Sequence, residues 1–279
     1  MQLSVIFSTY NSPEWMLKTL WSLHYQTFQE FEIIIADDGS DAVTAETIAQ
    51  FQAESGRQVK HVWQPDDGFQ KTRILNQALI ASEGEYILFT DGDCVLRSDF
   101  LAVHMQRREP GYFLSGGYFK LPMETSKAIT RDDIATGRAF DLEWLMAHGL
   151  QKTHKTMKLT ASGLKEKLLN SLTPTKATWN GHNVSGWRSD IFAANGFDER
   201  MQYGGEDREL GERLFNAGIK SKQIRYSAIC LHLDHARGYV KQEMRDKNAA
   251  IRAVTKRERK TETEFGIKQA IARSEHDRD

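Results

Sequence analysis

Two cysteines, Cys94 and Cys230, are all that the 279 residues contain. That is too few for a disulfide framework or a cysteine zinc site, and it fits a reducing compartment, so the cytosol is the expected location. Neither sign of charge dominates: the formal net charge is −1, and no global field argues for a nucleic-acid partner, although single-sign patches stay open. No apolar run approaches the roughly eighteen residues of a membrane span. The chain starts directly on the strand-like LSVIFS, so no signal peptide is read. Internal repeats are missing. So are a GxGxxG after the first strand and a GxxxxGKS/T loop anywhere, which removes the two commonest ways of cradling phosphates with backbone. What is left is an ordinary globular composition, 40% apolar, enough for one large domain or two small ones.

The stretch that organises the chain is EYILFTDGDCVL, residues 85 to 96. Its apolar run from Tyr86 to Phe89 is aromatic and branched and reads as a buried strand of a parallel sheet. The run ends at Asp91 and Asp93, separated by Gly92. Residues two apart on an extended chain point to one side, and the glycine lets the backbone turn closely enough for both carboxylates to meet one hard cation. Asp-Gly-Asp is also ordinary turn chemistry, so the rest of the chain has to decide.

Leu3 to Ser8 reads as a first strand, followed by TYNSPEW, where Ser12 can cap a helix and Pro13 suits its first turn. FEIIIA, residues 31 to 36, and VKHVW, residues 59 to 63, read as further strands. Helical faces lie between them: Leu17, Leu20, Trp21 and Tyr25, then Val43, Ile48 and Phe51 up to Gly56, then Ile74, Leu75, Ala78 and Leu79. This alternation predicts an α/β fold, a mostly parallel doubly wound sheet with helices on both faces. Polar residues then gather where the strands end: Thr9, Tyr10 and Asn11; Asp37 and Asp38; Asp66 and Asp67; Asp91 and Asp93. Four such clusters on one edge make a binding crevice. A diphosphate held there without a phosphate loop calls for a divalent cation bridging its oxygens to Asp93.

The rhythm weakens from about 120 to 180, where KTHKTMKLTASGLKEKLLN carries much positive charge. It reads either as a solvated helical surface or as an acceptor-side or membrane-facing patch over residues 151 to 176, with Leu159, Leu164, Leu168 and Leu169 as an apolar stripe. The second reading places the protein peripherally at the inner face of a membrane. Further on, Gly204 and Gly205 precede Glu206 and Asp207 at a predicted helix start, where the dipole is expected to keep Asp207 ionised and the glycines to let something approach closely. YSAICLHLDH, residues 226 to 235, reads as a last strand with His232 and His235 at its exit. Beside an acidic metal centre, one neutral imidazole of the two is a credible ligand. Beyond 240 the chain reads as a charged, solvated helix with a frayed polar tail.

Together the pieces resemble a family 2 glycosyltransferase of the GT-A fold. The resemblance rests on Thr9-Tyr10-Asn11, Asp37-Asp38-Gly39-Ser40, the Lys71, Arg73 and Asn76 run, and Asp91-Gly92-Asp93. The second half is similar to galactosyltransferase-type and chondroitin-polymerase-type enzymes through Asn183 to Ser185, Gly196 to Glu199 and Tyr203-Gly204-Gly205-Glu206-Asp207. The resemblance implies a donor half over residues 1–118, an acceptor and catalytic half over 119–240, and a C-terminal helix and tail over 241–279. It implies a UDP-sugar donor, with Thr9, Tyr10, Asn11, Asp38, Arg73, Asp91 and Gly92 around the nucleotide, and Mn2+ or Mg2+ on Asp93 with a histidine, His232 in the first place and His235 in reserve. Asp207 would be the base and Glu206 an acceptor ligand, the acceptor being a glycan or lipid-linked glycan of surface polysaccharide or lipopolysaccharide assembly. A sugar nucleotidyltransferase would need a glycine-rich, arginine-containing loop after the first strand, which TYNSPEW is not; a binding module without catalysis is the other alternative.

Overall fold

The computed structural model describes residues 1–236 and 241–276. Each of the four apolar runs forms a strand: β1 (Leu3–Thr9), β2 (Phe31–Asp37), β3 (Val59–Trp63) and β4 (Tyr86–Asp91). Between them lie α1 (Pro13–His24), α2 (Ala42–Ser55) and α3 (Lys71–Ala81). Pro13 takes the first turn of α1, where its missing N–H costs nothing. Gly56 ends α2 at a left-handed φ of 68°.

These four strands run parallel in the order β3-β2-β1-β4. Chain progress across the sheet reverses at β1, so the carboxyl ends of β1 and β4 open a crevice. Strand alternation sorts the side chains. Leu3, Val5, Phe7, Ile33, Ile35 and Leu88 enter one core with residues of α1, α2 and α4 (Phe100–Arg107). Ile6, Ile34, Ala36, Ile87 and Phe89 enter the other with α3.

The second half adds to this same sheet. After β5 (Cys94–Leu96), β6 (Tyr112–Ser115) and β7 (Gly117–Lys120) come β8 (Val184–Trp187), β9 (Lys220–Gln223) and β10 (Ile229–His232). β8, β6 and β9 complete seven strands, with β8 antiparallel to β4. β5, β10 and β7 form a small second sheet, which pairs His232 with Cys94, next in sequence to Asp93. Shorter helical turns occupy 123–160.

α5 (Gly163–Leu172) is amphipathic in the inverted sense. Its polar side is pinned to the body: Glu166 accepts from Arg107 at 2.7 Å, and Asn170 donates to Ser227 at 2.8 Å and accepts from the Tyr226 N–H at 2.9 Å. Its leucines face out, with Leu164 85% and Leu172 69% exposed and Leu168 between them. The expected stripe is corrected at its ends, because Leu159 packs on the core and Leu169 is half-buried while Leu172 joins the exposed face.

A larger correction concerns the C-terminus. α6 (Glu206–Asn216) packs against α7 (Gln242–Arg257), and Arg252 and Lys256 of α7 both reach Glu212. The segment expected to fray instead forms α8 (Ile267–His276), with Ile267 and Ala270 buried on the α3 side of the sheet. Asn195 holds it through its carbonyl to the Ile267 N–H at 3.0 Å and its Oδ1 to the Lys268 N–H at 2.8 Å. A few apolar residues among many charges are enough once a buried polar partner is waiting.

Candidate active site

A cleft of about 1360 Å³ runs along the carboxyl edge of the sheet, lined by the ends of β1, β4, β7 and β10, the start of α6, and residues near 150 and 180. At one end stand Thr9, Tyr10, Asp38 and Asp66. Thr9 Oγ1 is buried without a hydrogen-bond partner among the described residues. Leaving a hydroxyl so costs about 1–3 kcal/mol, which a nucleoside in the cleft would recover. Asp38 accepts from Gln64 Nε2 at 2.6 Å and the Gln70 N–H at 2.9 Å, and burial pushes its carboxyl up to about 6. Tyr10 donates to Asp66 Oδ2 at 2.9 Å.

Asn11 does not join them. Its backbone N–H donates to Ser40 Oγ and its Oδ1 accepts from the Asp41 N–H, both at 2.9 Å, so it braces the turn into α2. Asp37 is buried beneath, accepting from the Ser40 N–H at 2.9 Å and bonded to His61 at 2.8 Å.

The two carboxylates of Asp-Gly-Asp divide their tasks rather than share one partner. Gly92 is needed for close approach, since a Cβ there would lie 2.7 Å from the Ser8 carbonyl oxygen. Asp91 accepts from Lys71 Nζ at 2.9 Å, and that ammonium holds its carboxyl low, at about 2, against the opposing effect of burial. Arg73, expected near the diphosphate, is exposed and does not line the cleft. α3 begins at Lys71, and at about 100° per residue a position two further on faces nearly the opposite way. The cation of that run is therefore Lys71. Lys71→Ala should weaken UDP binding roughly ten- to hundredfold, the loss of one charged hydrogen bond worth about 1.5–3 kcal/mol. Arg73→Ala should leave it unchanged, and equal losses in a titration of the two variants would refute this assignment.

Asp93 meets both histidines. Its Oδ2 lies 3.0 Å from His235 Nε2 and 3.7 Å from His232 Nε2, and ligand atoms of the three residues fall within 4.8 Å of one another. His232 Nδ1 bonds the Leu233 carbonyl at 2.8 Å and His235 Nδ1 the Ala236 carbonyl at 2.9 Å. A carbonyl only accepts, so each Nδ1 carries a proton and each Nε2 is the ring nitrogen left facing Asp93, free to donate to that carboxylate when protonated or to ligate a cation when not. One carboxylate and two oriented imidazoles fit a divalent cation.

Across the cleft, Glu206 and Asp207 open α6 as expected, after Gly204 at φ 108° and Gly205 at φ 90°. What approaches those glycines is α7: a Cβ on Gly204 would lie 3.3 Å from Arg245 Cγ, and one on Gly205 3.2 Å from Arg252 Nη1. Asp207 Oδ2 accepts from the Gly181 N–H at 3.0 Å and Oδ1 from the Arg208 N–H at 2.6 Å. Glu206 Oε2 accepts from the Gly204 N–H at 2.8 Å. Burial pushes Glu206 up to about 7, with Asp207 adding to the effect, and pushes Asp207 in the same direction. Desolvation therefore outweighs the helix dipole expected to keep Asp207 low.

Sequence reasoning missed three residues. A Cβ on Gly181 would lie 3.6 Å from Lys71 Nζ and 3.7 Å from Asp91 Oδ1, so this residue sits beside the Asp91–Lys71 pair while its N–H holds Asp207. The Tyr118 ring packs edge-on against His182 at 4.6 Å and against His232 at 5.0 Å. Burial lowers His182 to about 4, so it is neutral. No local signal marks these positions, because each acquires its place from a loop or strand crossover. Conversely, several motif residues turn out to be joints. Asn183 is fully buried, donating to the Gly117 and Ala228 carbonyls and bonding His104, while Asn76 clamps Phe197 through both its backbone groups.

Residues 4–144 match the family model of glycosyl transferase family 2. The chain is 27% identical to chondroitin synthase of Escherichia coli over 80% of its own length, and it covers 33% of that enzyme. Two solved structures share its fold. Residues 1–349 of TarS from S. aureus in complex with UDP-GlcNAc align with a TM-score of 0.57 and 18% identity, over 86% of this chain and 60% of that one. The mannosyltransferase PcManGT from Pyrobaculum calidifontis, in complex with GDP-Man and Mn2+, aligns with a TM-score of 0.55 and 16% identity, over 85% of this chain and 58% of that one. The chain thus spans less than two thirds of the length of each.

Proposed function

Because the chain belongs to glycosyl transferase family 2, we propose that it transfers a hexose or N-acetylhexosamine from a UDP-sugar to a hydroxyl of a glycan or lipid-linked glycan, with inversion, in surface polysaccharide or lipopolysaccharide assembly. The observation that carries this reading is Gly181. It brings a base candidate, Asp207, beside the Asp91–Lys71 pair, in the same cleft as the Asp93, His232 and His235 cluster.

Thr9 and Asp38 would take the nucleoside, Asp91 the ribose side and Lys71 the diphosphate. Asp93 with His232 and His235 would hold Mn2+ or Mg2+, which neutralises charge on a departing diphosphate. Asp207 takes the proton of the acceptor hydroxyl as that oxygen attacks the anomeric carbon, and Glu206 orients the acceptor. Both backbone N–H bonds to Asp207 fix its carboxylate before the acceptor arrives.

Screening UDP-sugars for manganese-dependent UDP release tests the proposal, since water serves as a slow acceptor. Release from one UDP-sugar is expected; a panel with none, and no UDP binding, would refute it. The exposed Leu164, Leu168 and Leu172, with Lys165 and Lys167 beside them, suit peripheral contact with an anionic membrane. Co-sedimentation with phosphatidylglycerol vesicles, lost in Leu164→Ser/Leu168→Ser, is the expected result, and no sedimentation of the wild type would exclude the contact.

A further inference from the structure

The cleft lining is rich in lysine and arginine. Of the cations lining it, Lys71 is paired with Asp91 and Lys120 with Asp234. Lys155, Lys158, Lys176 and Arg225 also line it, and among the described residues none has an ion-pair partner. Arg225 lies against Gly117, where a Cβ would come within 3.1 Å of its Nε. That Nε is buried and donates to nothing among the described residues, while Nη1 donates to Thr175 Oγ1 at 3.1 Å. Lys158 donates to the Tyr118 carbonyl at 3.1 Å. Burial, and secondarily Arg225, push its ammonium below the ordinary lysine value.

Like charges gathered in a partly desolvated corner, with a guanidinium N–H unspent, destabilise the free protein and favour an anion. The position says which substrate brings it. Lys158 is held on the backbone of Tyr118, whose ring packs on His182 and His232, so the cluster adjoins the reacting centre; Tyr118 and Arg225 follow β6 and β9, on the opposite side of the sheet order from β1 and β2, where Thr9 and Asp38 stand. Resting on the donor reading above, we infer that Lys158 and Arg225, with Lys155 and Lys176, form a subsite for a phosphoryl group on the acceptor. A phosphoryl group would place three acceptor oxygens among cations that have no acidic partner among the described residues, one of them with an unspent Nε–H.

The test uses protein saturated with UDP and manganese, so that the donor site is filled. N-acetylglucosamine 1-phosphate and the methyl glycoside of the same sugar are titrated calorimetrically. The phosphate should bind about tenfold or more tightly, the scale of one charge-assisted hydrogen-bonded pair. Lys158→Ala/Arg225→Ala should erase the difference while UDP affinity is kept. Lys155→Ala/Lys176→Ala, both at exposed positions, gives a second variant pair that should reduce it without risk to the fold. Equal binding of the two sugars, or a phosphate preference that survives both double variants, would overturn the inference. A short-chain prenyl diphosphate glycan and a polyol-phosphate oligomer separate the two sources of such a group: the tighter binder, with its advantage lost in the variants, names the acceptor, and neither exceeding the methyl glycoside counts against the subsite. Failure of UDP to bind would sink the donor reading instead, and the two sugars would then be compared on the free protein.

Discussion

Asp93→Ala should abolish manganese-dependent UDP binding and leave the protein folded. Asp93 is the only carboxylate in the three-residue cluster, and without it only the two imidazoles remain. Loss of an outer-shell partner alone typically costs about 10- to 100-fold in metal affinity, so removing a charged ligand should cost more than that. The fold has little at stake. The side chain contacts the two histidines and the Cys94 thiol, while its backbone carbonyl, which accepts from the Leu233 N–H at 2.9 Å, survives the substitution. A stability change within about 0.5–1 kcal/mol is expected for such a position. Calorimetry of UDP with and without manganese, beside a thermal melt, makes the comparison. Normal metal-dependent binding by the variant would show that the cation sits elsewhere. His232→Ala and His235→Ala should each weaken the metal dependence, because both imidazoles present Nε2 to the same oxygen.

Asp207→Asn should lower turnover by roughly 10²–10⁴, the usual contribution of a general base, with donor affinity nearly unchanged. Asn keeps the shape and can still accept one of the two backbone N–H bonds, so a loss of rate reads on the proton rather than on the fold. The pH dependence follows from the raised carboxyls. A base acts only when ionised, so kcat/KM should rise with pH through a limb set above the ordinary carboxylate range, up to about 7, the value of Glu206. Because the two acids are adjacent, that limb belongs to the pair. Glu206→Gln should move the limb downward by removing a neighbouring negative charge, and it should act mainly on KM for the acceptor. Near wild-type turnover by Asp207→Asn on an identified acceptor would place the base elsewhere.

Much of the cleft lining was legible because it is local. Apolar runs of strand length ending in acids specify both the strand and where its end points, and Thr9, Asp38, Asp91 and Asp93 all line the cleft. The residues that fall outside the cleft, or are held where fraying was expected, are those whose placement depends on phase or packing. Arg73 was read from a run whose inward face belongs to Lys71, and Asn11 from a motif in which it braces a turn. The tail read as frayed is anchored by Asn195, a partner far away in sequence.

By itself the sequence determined the parallel sheet, the acidic carboxyl edge and the two acidic groups on separate elements, since periodicity and strand length are properties of neighbours along the chain. Only the tertiary structure decided that His232 and His235 both reach Asp93, that Gly181 ties Asp207 to the Asp91–Lys71 pair, and that Lys155, Lys158, Lys176 and Arg225 line the same cleft without an ion-pair partner among the described residues. The physical reason is that a binding site is made by side chains brought together across crossovers, where helix phase, strand pairing and the close approach allowed by a glycine set directions that no local pattern encodes.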